Sequence, residues 1–284
     1  QQEEFIKYLA EHDSLTGLYN RRKFREILDN ELANNRKGAL FLLDIDDFKN
    51  INDILGHVYG DELLKRFAKV LKDMVNENII AFRFGGDEFL ILLKEEELKH
   101  IVSFADKVLN AFKERIVVDY LESNLTVSMG IVRFPYDGNT IDELMIKADI
   151  AMYNAKKAGK NRYFLFDKQM KLNFNYKINI ENMLRKALKN EAFLLLYQPI
   201  VETNTGKVSS LEALLRLRDN NIGPEKFIPI AEETGLILPI GKWVIKEVVK
   251  QISIWAKGGC SCLPVAINLS PRQFYDAGLI DYMK

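Results

Sequence analysis

The sequence has 284 residues, which is enough for about two domains. Hydrophobic residues make up 48% and charged residues 28%, a balance that predicts a packed globular fold. Lys plus Arg and Asp plus Glu both number 40, so the net charge is zero and neither nucleic acid nor an anionic membrane is predicted as a partner. We found no apolar run long enough to cross a bilayer and no signal peptide, so we expect a cytoplasmic chain.

The first residues predict a short helix that leads into a turn. Phe5 to Leu9 suggest the end of a helix, and Asp13-Ser14-Leu15-Thr16-Gly17 contains turn and cap formers followed by a residue that breaks regularity. We interpret this segment as a connector with an N-cap. The helix after it has apolar residues at helical spacing from Phe24 to Leu32.

A buried strand that ends in carboxylates comes next. Residues 39–43 are continuously apolar, as expected of a central strand buried on both faces, and Asp44, Asp46 and Asp47 follow. Like charges at a partly buried strand end are unfavourable, and a divalent cation would relieve their repulsion. The backbone N–H groups that open the next helix suit a phosphate. Stabilisation of that helix N-terminus is the simpler explanation for Asp47, but not for Asp44.

Asn52 and Asp61 lie on either side of a predicted break in the next helical stretch. On one unbroken helix they would lie about half a turn apart, at about 3.6 residues per turn. They converge only if the helix is interrupted, and Gly56 is the expected place. A buried Asn–Asp pair can recognise the donor edge of guanine. The alternative is a capping Asn52 and an exposed helical Asp61.

Two apolar runs joined through Gly85-Gly86 predict a β-hairpin with Asp87 and Glu88 at its tip. Glycines at this position let another group, such as a nucleotide, approach the main chain closely. In a regular strand the two carboxylates would point to opposite faces. The alternative is a solvated acidic turn.

A strand over 125–132 and a helix from Leu144 to Lys156 complete a predicted α/β domain that extends to about residue 167. Lys156 and Lys160 are four residues apart, so we expect them to share a helix face and to clamp one phosphate group. Taken alone, the two residues favour the alternative, in which they complement the helix dipole. Acidic groups at the strand end and on the hairpin can face one another, an arrangement suited to two-metal phosphoryl transfer.

Together these segments resemble the GGDEF family of diguanylate cyclases over roughly residues 10 to 167. The matching pieces follow the family's order, and they are Asp13–Leu18, Asp44–Lys49 with Asn52-Asp53, Gly56-His57 with Gly60-Asp61, Gly85–Phe89, Val127–Gly130 and Ala148–Arg162. The resemblance implies an α/β (α+β) fold like the cyclase/polymerase palm, with a central sheet and flanking helices. We place this domain, with its helical lead-in, at 1–167.

The resemblance also implies a reaction. Two GTP would condense into cyclic di-GMP with release of two pyrophosphates, and because each domain presents one GTP, a homodimer is required. Asp44 and Asp87 would hold two Mg²⁺ (or Mn²⁺) ions with help from the Ile45 carbonyl. Glu88 would support attack by a ribose 3′-hydroxyl.

For the substrate, the resemblance implies that Asn52 and Asp61 recognise guanine. The triphosphate would be held by backbone N–H groups near Phe48 and Lys49, together with Lys156 and Lys160. Lys160 departs from the family, which often has Arg there; Lys keeps the charge but loses bidentate geometry.

Residues 168–284 resemble the opening of the EAL family of cyclic di-GMP phosphodiesterases, a TIM-barrel-like fold of alternating strands and helices. The segments that carry this resemblance are Gln198-Pro199-Ile200, Leu211–Leu217, Phe227–Ile237 and Ala266–Ser270. In that family Glu212 and Asn268 would be metal ligands, although both are also compatible with plain structure. Cys260 and Cys262 have no partner ligands nearby and are predicted to be free thiols.

The sequence ends after about three of the barrel's strands, so we expect an incomplete barrel segment without phosphodiesterase activity. We further expect a longer parent protein with an upstream sensor domain. Two functions remain open for the first domain: an active cyclase, or a catalytically silent GTP-binding module that regulates an attached phosphodiesterase. The intact Gly85–Phe89 signature favours the cyclase. A cyclase acting on ATP is disfavoured by Asn52 and Asp61.

Overall fold

The computed structural model describes residues 2–112, 116–118, 121–123, 125–218, 221–260, 263–276 and 278–283. The chain divides into two compact units, Gln1–Leu172 and Asn173–Lys284. The first contains, in chain order, α1 (Gln2–Glu11), α2 (Arg21–Ala33), β1 (Gly38–Ile45), α3 (Phe48–Leu55), α4 (His57–Lys72), β2 (Ile79–Gly85), β3 (Glu88–Leu93), α5 (Leu98–Ala111), β4 (Ile116–Val118), β5 (Leu121–Ser123), β6 (Val127–Phe134), α6 (Ile141–Lys157) and β7 (Arg162–Leu165).

The predicted buried strand is the centre of the first unit. β1 lies third in a five-stranded sheet of order β2-β3-β1-β6-β7, and all eight of its residues are buried. It pairs antiparallel with β3 and β6, while β6 and β7 are parallel. Phe41 packs into a core on one face of the sheet with Phe67 and Phe104, and Leu42 packs into a core on the other face with Phe24. The prediction of a strand covered on both sides is confirmed.

Two predicted irregularities also occur. α3 ends at Leu55 and α4 begins at His57, and Gly56 between them has a φ of 86°, which glycine adopts without strain. β2 and β3 form the predicted antiparallel hairpin, with a register shift between Arg83 and Gly85. The hairpin places Glu88 opposite Asp44 at the end of β1, and the break falls between Asn52 and Asp61.

The boundary between the units lies within α7 (Lys168–Lys189), and most of this helix belongs to the second unit. Its other elements are β8 (Phe193–Val201), β9 (Val208–Leu217), α8 (Pro224–Thr234), α9 (Ile237–Lys257), β10 (Val265–Ile267), α10 (Pro271–Phe274) and α11 (Leu279–Met283). β9 pairs antiparallel with β8 and parallel with β10. The described strands of this unit form an open three-stranded sheet rather than a closed barrel.

Two further sequence expectations concern the whole chain. In the part of the chain that the structure describes, no helix is long and apolar enough to cross a membrane. Cys260 is an exposed free cysteine, as predicted, whereas Cys262 lies outside the described residues.

Candidate active site at the end of the central strand

Four carboxylates gather where β1 ends. Asp44 is 8% exposed, and its Cα is paired across the sheet with that of Glu88, so both side chains lie on the same face. Asp87 lies just before β3, in the turn rather than in the strand. Asp149 of α6 is the fourth, because its charge acts on Glu88.

The carboxyl pKa values show how these groups affect one another. Burial raises the pKa of Asp44, and the charges of Asp87 and Asp46 raise it further against the lowering effect of Lys156. The pKa of Glu88 is raised by burial and then by the charges of Asp44, Asp87 and Asp149. The pKa of Asp149 is raised by partial desolvation, although the residue as a whole stays exposed. The cluster therefore carries more negative charge than its surroundings stabilise.

Both lysines that were predicted to clamp phosphate form ion pairs with carboxylates. Lys156 Nζ is 2.7 Å from Asp44 Oδ2, and Lys160 Nζ lies 2.7 and 2.8 Å from the two carboxylate oxygens of Asp47. The expectation that the two lysines share a helix face is wrong. α6 ends at Lys157, and Lys160 lies beyond it with a left-handed φ of 58°.

The N-terminus of α3 supplies the backbone donors that the sequence predicted. Phe48 and Lys49 are its first two residues, and the first N–H groups of a helix have no partner within the helix. Asp47, at the N-cap position, has a left-handed backbone and no side-chain cap hydrogen bond. Its carboxylate is instead paired with Lys160, so a cation stands beside the open backbone donors.

Asn52 carries the clearest sign of an unfilled interaction. Among the described residues, its Oδ1 is the one buried side-chain oxygen or nitrogen without a hydrogen-bond partner. The atom lies over Gly60, where a Cβ would come within 1.9 Å of it. Asp61 is exposed on α4, and in the described structure no hydrogen bond joins it to Asn52. A buried acceptor of this kind costs free energy unless a ligand donor reaches it.

The signature turn is open and firmly anchored. Gly85 and Gly86 have φ values of 153° and 54°, and a Cβ on either would meet no atom within 4 Å. Arg83 donates through Nε and Nη2 to the Gly86 carbonyl at 3.2 and 2.9 Å, and through Nη1 to Asp13 Oδ1 at 3.0 Å. Burial alone would raise the pKa of Asp13, but hydrogen bonds from Thr16 and Arg83 bring it below its ordinary value.

The donor set suits a hard divalent cation. Asp44, Asp87 and the carbonyl of Ile45, the last residue of β1, offer oxygen ligands, and Mg²⁺ is usually held by one or two carboxylates plus substrate phosphates. The described residues contain no cluster of three or more His, Cys, Asp or Glu side chains around a single metal position. A site completed by phosphate oxygens needs no such cluster.

Comparison with known families decides the relationship. The family model described as "Diguanylate cyclase, GGDEF domain" matches residues 10–162, and the EAL domain model matches residues 181–284. The chain belongs to the GGDEF family. Its second unit is a partial EAL segment. Together the two matches support a role in cyclic di-GMP metabolism, and members of these families generally use divalent metal ions.

The chain matches curated relatives over nearly its whole length. The chain is 37% identical to the bifunctional diguanylate cyclase/cyclic di-GMP phosphodiesterase MucR of Pseudomonas aeruginosa, over 97% of this chain and 41% of MucR. It is 40% identical to the signaling protein YkoW of Bacillus subtilis, over 99% and 36%. It is 35% identical to the cyclic di-GMP phosphodiesterase PdeR of Escherichia coli, over 99% and 43%. The chain thus spans less than half the length of each.

Solved structures resemble the GGDEF unit. The GGDEF domain of PA1120 (TpbB or YfiN) from Pseudomonas aeruginosa aligns with a TM-score of 0.55 at 30% identity, over 58% of this chain and 99% of that one. The coiled coil and GGDEF domain of DgcB from Caulobacter crescentus, solved with cyclic di-GMP, aligns with a TM-score of 0.53 at 27% identity, over 58% and 90%. The predicted α/β fold of the GGDEF unit is confirmed.

The EAL segment brings its two candidate ligands together. Glu212 of β9 and Ala266 of β10 are paired in register, and Asn268 follows just after β10. Asn268 Nδ2 donates to Glu212 Oε1 at 2.7 Å. A carboxylate and a carboxamide in contact on neighbouring parallel strands can provide two oxygen ligands to one cation.

Sequence reasoning gave no specific role to three residues of the GGDEF site. Asp46 accepts hydrogen bonds from Thr126 Oγ1 at 2.8 Å, Ser128 Oγ at 2.7 Å and Asn161 N at 3.0 Å. Arg83 anchors the turn, and Asp149 adds its charge to the cluster. The spacing of Asp149 and Lys156, seven residues on one helix, was a usable signal for Asp149. Nothing local in the sequence indicates the partners of Asp46 or Arg83.

Proposed function

We propose that the GGDEF unit is a diguanylate cyclase that condenses two GTP into cyclic di-GMP and two pyrophosphates. The observation that carries the proposal is the meeting of Asp44, Glu88 and Asp87 at the end of β1, beside an open glycine turn. Such a cluster is costly in the absence of cations, and two-metal phosphoryl transfer is the chemistry that uses it. Asp44, Asp87 and the Ile45 carbonyl would hold Mg²⁺ or Mn²⁺.

The chemistry that we propose is attack of a ribose 3′-oxygen on the α-phosphate of the second GTP. The new bond is a phosphodiester, and the bond that breaks releases pyrophosphate. A divalent cation held by Asp44, Asp87 and the Ile45 carbonyl would make the hydroxyl more acidic and would neutralise charge on the phosphate. The Glu88 carboxylate would accept the hydroxyl proton, because its pairing with Asp44 across the sheet places it beside the proposed metal ligands.

Substrate selection would rest on the break between α3 and α4. Asn52 Oδ1 is buried without a hydrogen-bond partner, and guanine has N–H groups that can donate a hydrogen bond to such an acceptor. Asp61 would accept from the same edge. The triphosphate would be held by the N–H groups of Phe48 and Lys49 and by the ammonium groups of Lys156 and Lys160.

The proposal includes the assembly and its setting. One GTP per domain means that two copies must face each other, so we infer a homodimer in the active state. We take the GGDEF domain as residues 1–167 and the EAL portion as 168–284, in a cytoplasmic part of a longer protein with an upstream sensor. Glu212 and Asn268 would be metal ligands of the EAL portion, and we expect no phosphodiesterase activity from the present chain.

A second candidate function is a silent GTP-binding module that regulates an attached phosphodiesterase. The EAL match and the similarity to PdeR, which is named as a cyclic di-GMP phosphodiesterase, favour it. In that case GTP binds to the GGDEF unit but is not turned over.

One experiment separates the two candidates. The purified chain is incubated with GTP and Mg²⁺ at high protein concentration, and the products are resolved by chromatography. Asp87→Ala and Glu88→Ala are run beside it, with Asp142→Ala of α6 as a control because its side chain is 80% exposed. Cyclic di-GMP from the parent and the control, but from neither site variant, is the expected result. GTP that binds and is recovered unchanged would refute the cyclase.

A further inference from the structure

Two ion pairs of the same chemistry lie near the end of α6, one from its last turn and one from the residues that follow it. Lys156 is paired with Asp44, and Lys160 with Asp47. Their settings differ: the Asp44 side chain is 11% exposed and the Asp47 side chain 53%. Asp44 also lies among further carboxylates that act on it, whereas Asp47 is paired at the surface.

The Lys156 ammonium occupies the place where a ligand cation is expected to act. It lies 2.7 Å from Asp44 Oδ2, an oxygen that a metal bound to Asp44 would use or closely approach. Its positive charge offsets the repulsion between the carboxylates of the cluster, as a bound divalent ion would also do. Two cations at the same carboxylate repel each other, and partial burial strengthens that repulsion. Lys156 and a metal are therefore competitors for Asp44.

We propose that Lys156 is a displaceable counter-cation, which holds Asp44 in the ligand-free chain and transfers to nucleotide phosphate when metal and nucleotide bind together. This inference rests on the proposed GTP site. Metal alone must remove the ammonium from Asp44 without offering it a new partner. A metal–triphosphate complex supplies that partner at the same moment, so metal and nucleotide bind cooperatively.

The structure provides the means for this transfer. Lys156 lies in the last turn of α6, and its side chain is 36% exposed. The ammonium is a compact charge on a flexible four-carbon stem, so it can change partner without movement of the helix. The open N-terminus of α3, where we place the triphosphate, follows β1 directly. Reciprocity requires that metal raise nucleotide affinity by the same factor as nucleotide raises metal affinity.

The test measures metal affinity without turnover. Mn²⁺ binding is followed by electron paramagnetic resonance of the free ion, in full chains that carry Glu212→Ala so that the EAL portion contributes less binding. Lys156→Met keeps the apolar stem and removes the charge. Lys160→Met is the matched control, because its partner Asp47 is not a proposed metal ligand.

For Lys156→Met we expect Mn²⁺ alone to bind at least about fivefold more tightly, the lower end of typical coupling between sites. For Lys160→Met we expect a clearly smaller gain with Mn²⁺ alone, because Lys160 contacts Asp47 and acts on Asp44 through its charge only. With a non-hydrolysable GTP analogue present, Mn²⁺ affinity rises in the parent and rises by a smaller factor in Lys156→Met. If Lys156→Met is not folded by circular dichroism, Lys156→Gln is measured instead.

Three outcomes would overturn the inference: unchanged Mn²⁺ affinity in Lys156→Met, weaker affinity, or equal tightening in Lys160→Met. These outcomes are independent of the proposed activity. If the chain makes no cyclic di-GMP but Mn²⁺ binds more tightly only in Lys156→Met, the proposed cyclase activity is refuted and the proposed role of Lys156 is supported. If the chain is an active cyclase but Lys156→Met binds Mn²⁺ with the affinity of the parent, the proposed activity is supported and the proposed role of Lys156 is refuted.

Discussion

Asp44 and Asp46 lie two residues apart at the end of β1 and are almost equally buried, at 8% and 6% exposure. Their partners differ in kind. Asp46 accepts three hydrogen bonds, from Thr126, Ser128 and Asn161, which fix it to β6 and to the turn after α6. Asp44 has a single flexible lysine. Asp46 therefore stabilises the fold, whereas Asp44 is held ready for a ligand.

This difference predicts opposite effects on stability. Asp46→Ala leaves three donors without an acceptor and should lower the free energy of unfolding by about 2–4 kcal/mol. Asp44→Asn removes a charge that burial and its neighbours disfavour, so it should leave the metal-free fold as stable or more stable. Urea unfolding of the two variants, followed by circular dichroism, makes the comparison. Equal destabilisation by both would contradict the division of roles.

Glu88 predicts a pH dependence at the same scale. Its pKa in the folded chain is raised above the ordinary value of 4.5 by burial and by the charges of Asp44, Asp87 and Asp149. An acid whose pKa is raised on folding destabilises the fold when ionised, and the penalty disappears as pH falls through the folded pKa. Glu88→Gln should therefore raise the melting temperature at neutral pH without metal, and the gain should vanish toward pH 4.5.

The measurement for Glu88 is thermal unfolding of parent and variant between neutral pH and pH 4.5 in the presence of a chelator. Glu62→Gln, an exposed partner of Lys65, is the control and should show no gain. A gain for Glu88→Gln that is the same at both ends of the range would mean that the Glu88 charge is not its cause.

At the scale of elements, the break between α3 and α4 is built around a glycine contact. Gly60 lies inside α4, where alanine would ordinarily gain about 1 kcal/mol of helix propensity. Here an added Cβ would come within 1.9 Å of Asn52 Oδ1 and 2.9 Å of Asn52 Cγ. The steric conflict exceeds the gain in propensity, so the two helices fix the position of Asn52.

Gly60→Ala should consequently lower the melting temperature and weaken GTP binding about tenfold, the effect of roughly one lost hydrogen bond. In an Asn52→Ala background the same change should cost little stability, because the two Asn52 atoms are absent and the remaining neighbour, Phe48 Cζ at 3.3 Å, needs to move only slightly. Thermal unfolding and calorimetric GTP titration of the four chains complete the cycle. Additive losses in the double variant would show that Asn52 is not the obstacle.

For the whole molecule, local patterns predicted the elements and distant contacts completed the site. The continuous apolar run predicted the buried strand β1. The glycine at position 56 predicted the break between α3 and α4, and the structure explains why, since the backbone there has a φ of 86°, which favours glycine. By contrast, Arg83 is hydrogen-bonded to Asp13, which is 70 positions away in the sequence, and Asp46 is hydrogen-bonded to Ser128, which is 82 positions away. No periodicity encodes such pairs, since they depend on how the strands are ordered in the sheet.

The proposed assembly predicts how active and inactive chains behave when mixed. Cyclic di-GMP has two new phosphodiester bonds, and with one GTP per domain each bond depends on a working site in a different copy. A copy carrying Asp87→Ala can still pair with a parent chain, because the change removes a carboxylate at the turn and leaves the Arg83 contact to the Gly86 carbonyl in place. Excess Asp87→Ala should therefore reduce cyclic di-GMP formed per parent chain, toward zero at a large excess.

The mixing experiment holds the parent concentration fixed and raises the variant, with Glu212→Ala as the matched control. Glu212 belongs to the EAL segment, so chains carrying Glu212→Ala remain competent partners and the yield of cyclic di-GMP should rise as they are added. Diluting the parent alone should lower its specific activity, because fewer chains are paired. If the yield per parent chain changed neither with added Asp87→Ala nor with dilution, one domain would be forming both bonds. That result would contradict the proposal of one GTP site per domain and of a homodimer.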